Sequence, residues 1–130
     1  MISGVNKVVV SVDDQEQAKT FWVDKVGFDL AYDETYGDER WVEVRPPSGS
    51  PVLVLIRRSP EEVKPDVRDE LPHSNVIFNC DDIERTYEEL TARGVSFPAP
   101  PTQQHFGWWS MFEDHEGTRY ALSPTPRDRM

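Results

Sequence analysis

The sequence has a single cysteine, Cys80, among its 130 residues, and this excludes an intrachain disulfide. It has no apolar run near the roughly 20 residues that a membrane-spanning helix needs. Its first residues do not form the basic and then apolar segments of a signal peptide. We therefore expect a soluble, cytoplasmic protein that has no membrane partner.

Basic residues are also scarce, because 14 lysines and arginines stand against 24 acidic residues and give a formal net charge of −10. Such a charge repels phosphate backbones, so nucleic acid is not an expected partner, and it favours cationic or neutral ligands. The hydrophobic fraction of 37% and the charged fraction of 29% are those of an ordinary globular chain. The length fits one domain over residues 1–130.

The first half of the chain begins with a short β-branched run, Val8–Val12, which predicts a strand. Asp14 is typical of a helix N-cap, and the spacing of apolar residues predicts a helix that continues to Val26. Gly27 then suits the end of that helix. Three further strands are predicted, at Phe28–Asp33, Arg40–Arg45 and Val52–Ile56.

The second half repeats this order. Asn75–Cys80 predicts a strand, Asp82 caps a helix that runs to Arg93, and Gly94 ends it. Further strands are predicted at Val95–Phe97, Trp108–Glu113 and Thr118–Leu122. An offset of 68 residues superimposes the halves and aligns Val8 with Val76, Asp13-Asp14 with Asp81-Asp82, Trp41 with Trp109, and Gly49 with Gly117. The shared order of elements, caps and turn glycines indicates an internal repeat.

The repeat predicts an α+β fold of tandem βαβββ modules, Val5–Ile56 and His73–Pro124. The proline-rich and charged segment Arg57–Pro72 is interpreted as a surface linker. Each module should form a curved sheet with a helix on its outer face, so that the faces without helices enclose a cleft.

The residues that open and close the modules resemble a known family. Phe21-Trp22 and Gly27-Phe28 in the first module, and Arg93-Gly94-Val95 and Phe112–Gly117 in the second, resemble the vicinal-oxygen-chelate superfamily. This superfamily includes glyoxalases, bleomycin resistance proteins and extradiol dioxygenases. The resemblance implies the cleft fold and a homodimer, whereas it leaves the activity open, because the family contains both enzymes and drug-binding proteins.

The resemblance also implies where a metal would be bound. The family's ligand positions, carried over to this sequence, are Lys7, Leu53, Asn75 and Ala121. A protonated lysine repels a cation, an amide is a weak donor, and leucine and alanine have no donor. Shifting any position by one residue brings no histidine or carboxylate to it. We therefore expect a protein with no metal and no cofactor.

Strand alternation predicts which side chains line the cleft. Val42 and Val44 should face the helix, leaving Trp41 and Glu43 toward the cleft. The remaining predicted lining is Lys7, Val9, Ser11, Leu53, Leu55, Asn75, Ile77, Asn79, Trp109, Met111 and Ala121, with Phe112 in the core. The candidate ligand-binding residues are Lys7, Trp41, Glu43, Asn75, His105, Trp109 and Met111, a mixture of aromatic and polar groups that is typical of small-molecule pockets.

Other interpretations of these residues stay open. The two aligned tryptophans could be core residues, and Lys7 and Glu43 could form no more than an ion pair. His73, His105 and Glu43 could form a relocated metal site. The aspartate pairs are interpreted as caps rather than catalytic carboxylates, Cys80 as a buried small side chain rather than a nucleophile, and His115 as a solvated turn residue.

Two classes of function follow, with a third beside them. The first is a metal-free binding protein that sequesters an aromatic or cationic compound and so confers antibiotic resistance, as bleomycin-resistance relatives do. The second is a lyase, isomerase or dioxygenase-type enzyme, either metal-dependent through a relocated site or metal-free with Lys7, Glu43 or His105 transferring protons. The third is a domain retained for interaction alone.

Overall fold

The computed structural model describes residues 1–62 and 76–124, which fall into two compact units, Met1–Val63 and Lys64–Met130. Each unit is a module with a four-stranded sheet, and the order of elements is βαβββ in both. The predicted α+β fold of tandem modules is therefore confirmed.

The first module begins with strand β1 and helix α1, and a π-helix follows α1 directly. Its elements are β1 (Lys7–Val12), α1 (Gln15–Thr20), the π-helix (Phe21–Val26), β2 (Asp29–Tyr36), β3 (Glu39–Arg45) and β4 (Val52–Arg57). The strand order in the sheet is β1-β4-β3-β2, with β1 and β4 parallel and the other pairs antiparallel. Strand β4 extends one residue into the predicted linker, and residues 63–72 of that linker lie outside the described part.

The second module has the same topology. Its elements are β5 (Ile77–Cys80), α2 (Ile83–Ala92), β6 (Thr102–Gln104), β7 (Gly107–Glu113) and β8 (Arg119–Pro124). The order in the sheet is β5-β8-β7-β6, and β5 and β8 are parallel.

Matching caps and glycines define the helices of both modules. The Asp14 carboxylate accepts a hydrogen bond from the Gln17 backbone N–H at 2.9 Å, and the Asp82 carboxylate accepts one from Arg85 at 3.1 Å. An N-cap aspartate satisfies a free backbone donor of the first turn in this way. The predicted roles of both aspartates are confirmed.

The first helix differs from the prediction in its second half. Phe21 and Trp22 are both buried, although neighbours on an α-helix point about 100° apart. The wider π-helical turn allows both rings to face the sheet, and they meet edge to face at 5.2 Å between centroids. Gly27 ends this turn with a φ of 95°, in the left-handed region that suits glycine.

One strand of the second module lies elsewhere than predicted. Val95–Phe97 is not a strand, since Ser96 forms only an isolated bridge with Glu113. The strand in this position of the repeat is β6, Thr102–Gln104, which lies between the predicted strands Val95–Phe97 and Trp108–Glu113. All three of its side chains are exposed, so backbone pairing with β7 holds it in place rather than burial of apolar groups.

Candidate functional site

In the first module, α1 covers one face of the sheet, and we refer to the other as the helix-free face of module 1. Val42 and Val44 are fully buried on the helix side, while Trp41 and Glu43 lie on the helix-free face. Arg40, in phase with Val42, contacts Glu16 of α1 at 2.8 Å, and this contact identifies the helix side. The predicted phase of β3 is confirmed.

The predicted phase of β4 is wrong. Leu53 and Leu55 pair with Val44 and Val42 and therefore lie on the helix side, not on the helix-free face. Val52, Val54 and Ile56 take the helix-free face, with Val54 beside Val9 and Glu43. The cause is one extra residue in the first module: Ser50 and Pro51 separate Gly49 from β4, whereas Thr118 alone separates Gly117 from β8.

The polar centre of this face is Glu43. Its Oε2 accepts hydrogen bonds from the Lys7 ammonium at 2.7 Å and from the Trp41 indole Nε1–H at 2.7 Å. The Glu43 side chain is 12% exposed, whereas that of Lys7 is 41% exposed. The predicted ion pair is therefore present, and it also fixes the indole ring of Trp41.

The same contacts keep Glu43 ionised. The bond from Lys7 is the largest cause and the bond from Trp41 the next, and together they lower the pKa of the carboxyl against the opposing effect of burial. The donors favour the charged form, so Glu43 acts as a hydrogen-bond acceptor at neutral pH. A carboxylate in that state is a poor proton donor.

Aromatic side chains surround this polar centre. Tyr32 pairs with Glu43 across the sheet, and Tyr36 lies on the same face of β2, where the two tyrosine hydroxyls share a hydrogen bond. Trp41 is 38% exposed and Tyr36 is 61% exposed. The interpretation of Trp41 as a core residue is wrong, because its ring is available for stacking. The core tryptophan of this module is Trp22.

The second module has a corresponding helix-free face. Phe112 is buried on the helix side, where it contacts Phe97, which in turn contacts Tyr87 of α2. Trp109 and Met111 lie on the opposite face, half-buried. Ala121 pairs with Met111 and with Ile77, so Ala121 and Ile77 lie on the same face as Met111. Asn79, two residues after Ile77 on β5, lies on this face as well. The predicted phases of β5, β7 and β8 are confirmed.

The turn between β6 and β7 adds two rings beside Trp109. His105 and Phe106 form this two-residue turn; their rings meet edge to face at 5.2 Å, and Phe106 meets Trp109 edge to face at 5.6 Å. Phe106 is 57% exposed. Phe106 therefore lies between His105 and Trp109 and contacts both rings. The exposed edge of the Phe106 ring is available to a ligand.

The structure groups the candidate residues by module. Lys7, Trp41 and Glu43 are together in the first module, and His105, Trp109 and Met111 are together in the second. Asn75 and His73 lie outside the described residues. Sequence reasoning missed Tyr32, Tyr36 and Phe106 as candidates. Alternation along β2 could have indicated the tyrosines, but a bulge between Leu30 and Tyr32 shifts its phase.

Two other side chains, Cys80 and His115, have surroundings that bear on their predicted roles. Cys80 is half-buried, and burial raises the pKa of its thiol to about 11, which is the opposite of an activated nucleophile. The prediction that His115 is solvated is wrong, because its side chain is 14% exposed and lies 3.6 Å from the Glu116 carboxylate.

The family's metal-ligand positions do not fit a metal. Lys7 is paired with Glu43, and Val54, which replaces Leu53 at the corresponding place, is as devoid of donors as Ala121. A divalent ion in a protein needs several oxygen, nitrogen or thiolate donors. Within residues 1–62 and 76–124, no group of three or more histidine, cysteine, aspartate or glutamate side chains is placed to hold a metal ion.

Comparison with known proteins decides the family. The model of the Glyoxalase/Bleomycin resistance protein/Dioxygenase superfamily matches residues 4–122. The chain belongs to this superfamily. The protein YetH of Bacillus subtilis (strain 168) is 35% identical to it over 123 residues, which cover 94% of this chain and 98% of YetH.

Solved structures of the superfamily agree in fold. The antibiotic binding protein TnmS3 from Streptomyces sp. CB03234 is 32% identical, with a TM-score of 0.79 over 96% of this chain and 98% of TnmS3. A superfamily member from Sphaerobacter thermophilus DSM 20745 is 28% identical, with a TM-score of 0.82 over 95% and 98% of the two chains. In our chain, no helix within residues 1–62 and 76–124 is long and apolar enough to cross a membrane.

Proposed function

We propose that this protein binds and sequesters a small aromatic compound on the helix-free faces of its sheets. The observation that carries the proposal is the partly exposed indole of Trp41, held by its Nε1–H bond to Glu43. A ring that is already fixed in position loses little conformational entropy when a planar ligand stacks on it.

The second module supports the same function. Trp109 and the exposed Phe106 form an edge-to-face pair, and stacking of this kind supplies much of the affinity of aromatic sites. The likeness to TnmS3, whose name describes it as an antibiotic binding protein, favours a role in antibiotic resistance. The proposal includes a cytoplasmic location, which fractionation of cells producing the tagged chain would test.

Trp108 and Trp109 allow a matched experiment, because they are neighbours on β7 that face opposite sides of the sheet. Trp109→Leu should weaken binding of an aromatic compound by about 1–3 kcal/mol, as loss of one aromatic contact typically does. Trp108→Leu, the control, should lower the melting temperature and leave the affinity unchanged. Titration calorimetry against a panel of aromatic antibiotics and metabolites, with thermal melting of each variant, measures both effects. Equal affinity of Trp109→Leu and the unaltered protein for every ligand found would refute the role of Trp109.

We also propose that the protein is a homodimer. Strand β2 is an edge of its sheet, it is eight residues long, and its partner on the outer side is not supplied by the described residues. Exposed edges of this length are usually covered. Sedimentation equilibrium at micromolar concentration should give about twice the chain mass of 15.0 kDa, and a species of the chain mass alone would contradict the proposal.

A further inference from the structure

The helix-free face of module 1 contains a charge arrangement that bears on which aromatic compounds it can bind. The acidic net charge of the chain suggests a preference for cations, and Glu43 is a carboxylate next to the stacking ring. Its charge, however, is already matched, because Lys7 and Trp41 both donate to its Oε2 at 2.7 Å. A cation approaching this carboxylate also meets the ammonium group of Lys7.

Lys7 retains donors that a ligand can use. An ammonium group has three N–H donors, and the bond to Glu43 accounts for one of them. Among residues 1–62 and 76–124 the Lys7 ammonium has no other hydrogen bond or ion pair. Its side chain is 41% exposed, so the remaining donors are accessible beside Trp41.

The Lys7 donors are also held in place. Lysine side chains are flexible, and fixing one costs entropy when it binds a ligand. Because Lys7 is already bonded to Glu43 in the free protein, its side chain loses less entropy when a ligand binds. A prepositioned donor of this kind contributes more to affinity than a mobile one. Arg45 lies on the same face and also favours the ionised form of Glu43, so it adds a second positive charge.

The carboxylates on this face that oppose an anion are those of Asp29, which pairs with Arg45 across the sheet, Glu34 and Glu39, and all three are exposed. Glu34 pairs with Trp41 across the sheet and is exposed, as is Glu39 at the start of β3. Neither has a hydrogen bond or ion pair within the described residues. The remaining negative charge of the chain acts from farther away, and at physiological ionic strength it is largely screened beyond about 8 Å.

We infer that the helix-free face of module 1 selects aromatic compounds that carry an oxygen acceptor next to the ring, such as a carboxylate or phenolate, over aromatic cations. The ring stacks on Trp41 and the oxygen accepts a hydrogen bond from Lys7. This inference rests on the proposed function and specifies its ligand class. It reverses the preference that net charge alone predicts.

The test compares three probes of one shape: 2-naphthoate, 2-naphthylmethanol and 2-naphthylmethylammonium. The readout is the indole N–H resonance of Trp41 in the nitrogen-15-labelled full chain, assigned from the spectrum of Trp41→Phe. We expect 2-naphthoate to bind about threefold to fivefold more tightly than the ammonium probe, the range expected for one partly exposed charge-assisted hydrogen bond.

Two lysine variants connect this preference to its source. Lys7→Met should remove the preference for 2-naphthoate, and Lys7→Arg should retain it. Lys19→Met is the matched control, because Lys19 pairs with Asp33 on the helix side, and it should leave the preference unchanged. The dispersion of the other indole resonances reports whether each variant is folded.

The outcomes separate the inference from the proposed function. Equal or tighter binding of the ammonium probe at Trp41 would refute the inference and leave an aromatic-binding protein. A preference for 2-naphthoate that survives Lys7→Met would refute it as well. If no aromatic compound shifts the resonance of Trp41 or that of Trp109, both the inference and the proposed function are wrong.

Discussion

The two modules share one topology but differ in the side-chain contacts that join their helices to their sheets. In the first module polar contacts add to the burial of Ala18, Phe21 and Trp22: Arg40 binds Asp33 through two nitrogens at 2.9 and 2.7 Å, and it binds Glu16 of α1 at 2.8 Å. In the second module the helix packs through aromatic rings, as Tyr87 of α2 meets Phe97 edge to face at 4.9 Å between centroids. The repeat thus preserves the geometry of the fold but not the same side-chain contacts between helix and sheet.

The first residues of the two helices show the same contrast. Gln15 begins α1, and its side-chain amide donates to the backbone carbonyls of Arg40 at 2.6 Å and Leu55 at 2.9 Å. Ile83 begins α2 and is buried as an apolar side chain. Hydrogen bonds depend on direction and apolar contacts do not, so we expect the modules to respond differently to substitution, pH and salt.

The largest effect is expected in the aromatic cluster of the second module. Phe112 is buried and lies within 6.1 Å, between ring centroids, of Phe78, Phe97 and Tyr120. Phe112→Ala should lower the free energy of unfolding by about 3–5 kcal/mol, because it removes buried area and leaves a cavity. Met111→Ala, one residue earlier on the other face, is the control and should cost much less. Urea unfolding measures both, and equal losses would mean that the phase of β7 is not as described.

A smaller effect is expected at the start of α1. Gln15→Ala leaves two carbonyls without their amide donor and should cost about 1–3 kcal/mol of unfolding free energy. Gln17→Ala, at an exposed position of the same helix, should cost less than 0.5 kcal/mol, as surface substitutions usually do. Gln15→Ile tests whether the apolar solution of the second module can be transferred. A stability equal to that of the unaltered protein would show that the amide bonds of Gln15 are dispensable.

The smallest effect concerns pH and the ionic attachment. The bidentate bond from Arg40 is the largest cause that lowers the pKa of Asp33 from 3.8 to about 2. A carboxyl whose pKa is lower in the folded protein contributes stability above its unfolded pKa and loses it as pH falls through the folded value. We expect Asp33 to contribute about 1–2 kcal/mol at neutral pH, a range reduced for partial exposure, and to lose this contribution between about pH 4 and pH 2.

The measurement is urea unfolding across that range for the unaltered protein and for Asp33→Asn. The variant should be less stable at pH 7 and should show a weaker decline toward pH 2. Glu89→Gln is the control, since it breaks the exposed Arg85–Glu89 pair on α2 and should change stability by about 0.5 kcal/mol or less. An identical pH dependence for Asp33→Asn and the unaltered protein would show that the Asp33 carboxylate does not stabilise the first module.

Much of the fold was predictable because the residues that begin and end its helices act over short stretches of sequence. Asp14 and Asp82 cap helices through bonds that span three residues, and Gly27 adopts a φ of 95° directly after its helix. Alternation along β3 also gave the correct face for Trp41 and Glu43, because polar and apolar residues alternate there. Signals contained within a few residues can be interpreted without knowing the rest of the chain.

The errors came where local signals were absent. Val52–Leu55 is buried on both faces, so hydrophobicity does not distinguish the two possible phases of β4. Strand β6 has no apolar residue to indicate it, and its position depends on backbone pairing with β7. The Lys7–Glu43–Trp41 contacts join β1 to β3 across 36 residues of sequence. The sequence suggested the ion pair, but only the structure shows both donors on one oxygen.

The extra residue before β4 matters for anyone who would engineer this scaffold. A linear alignment of the two halves matches Leu53 with Ala121 and would therefore place a grafted metal-binding glutamate at Leu53. Leu53 lies on the helix side beside Val44, away from Lys7 and Glu43, so the carboxylate would be buried there without a partner, which costs several kcal/mol. Val54 is equally buried, but it is the position whose side chain neighbours Val9 and Glu43 on the helix-free face. In a duplicated fold, a single inserted residue thus changes which side chains of a strand lie on the helix-free face, where a new site would be built.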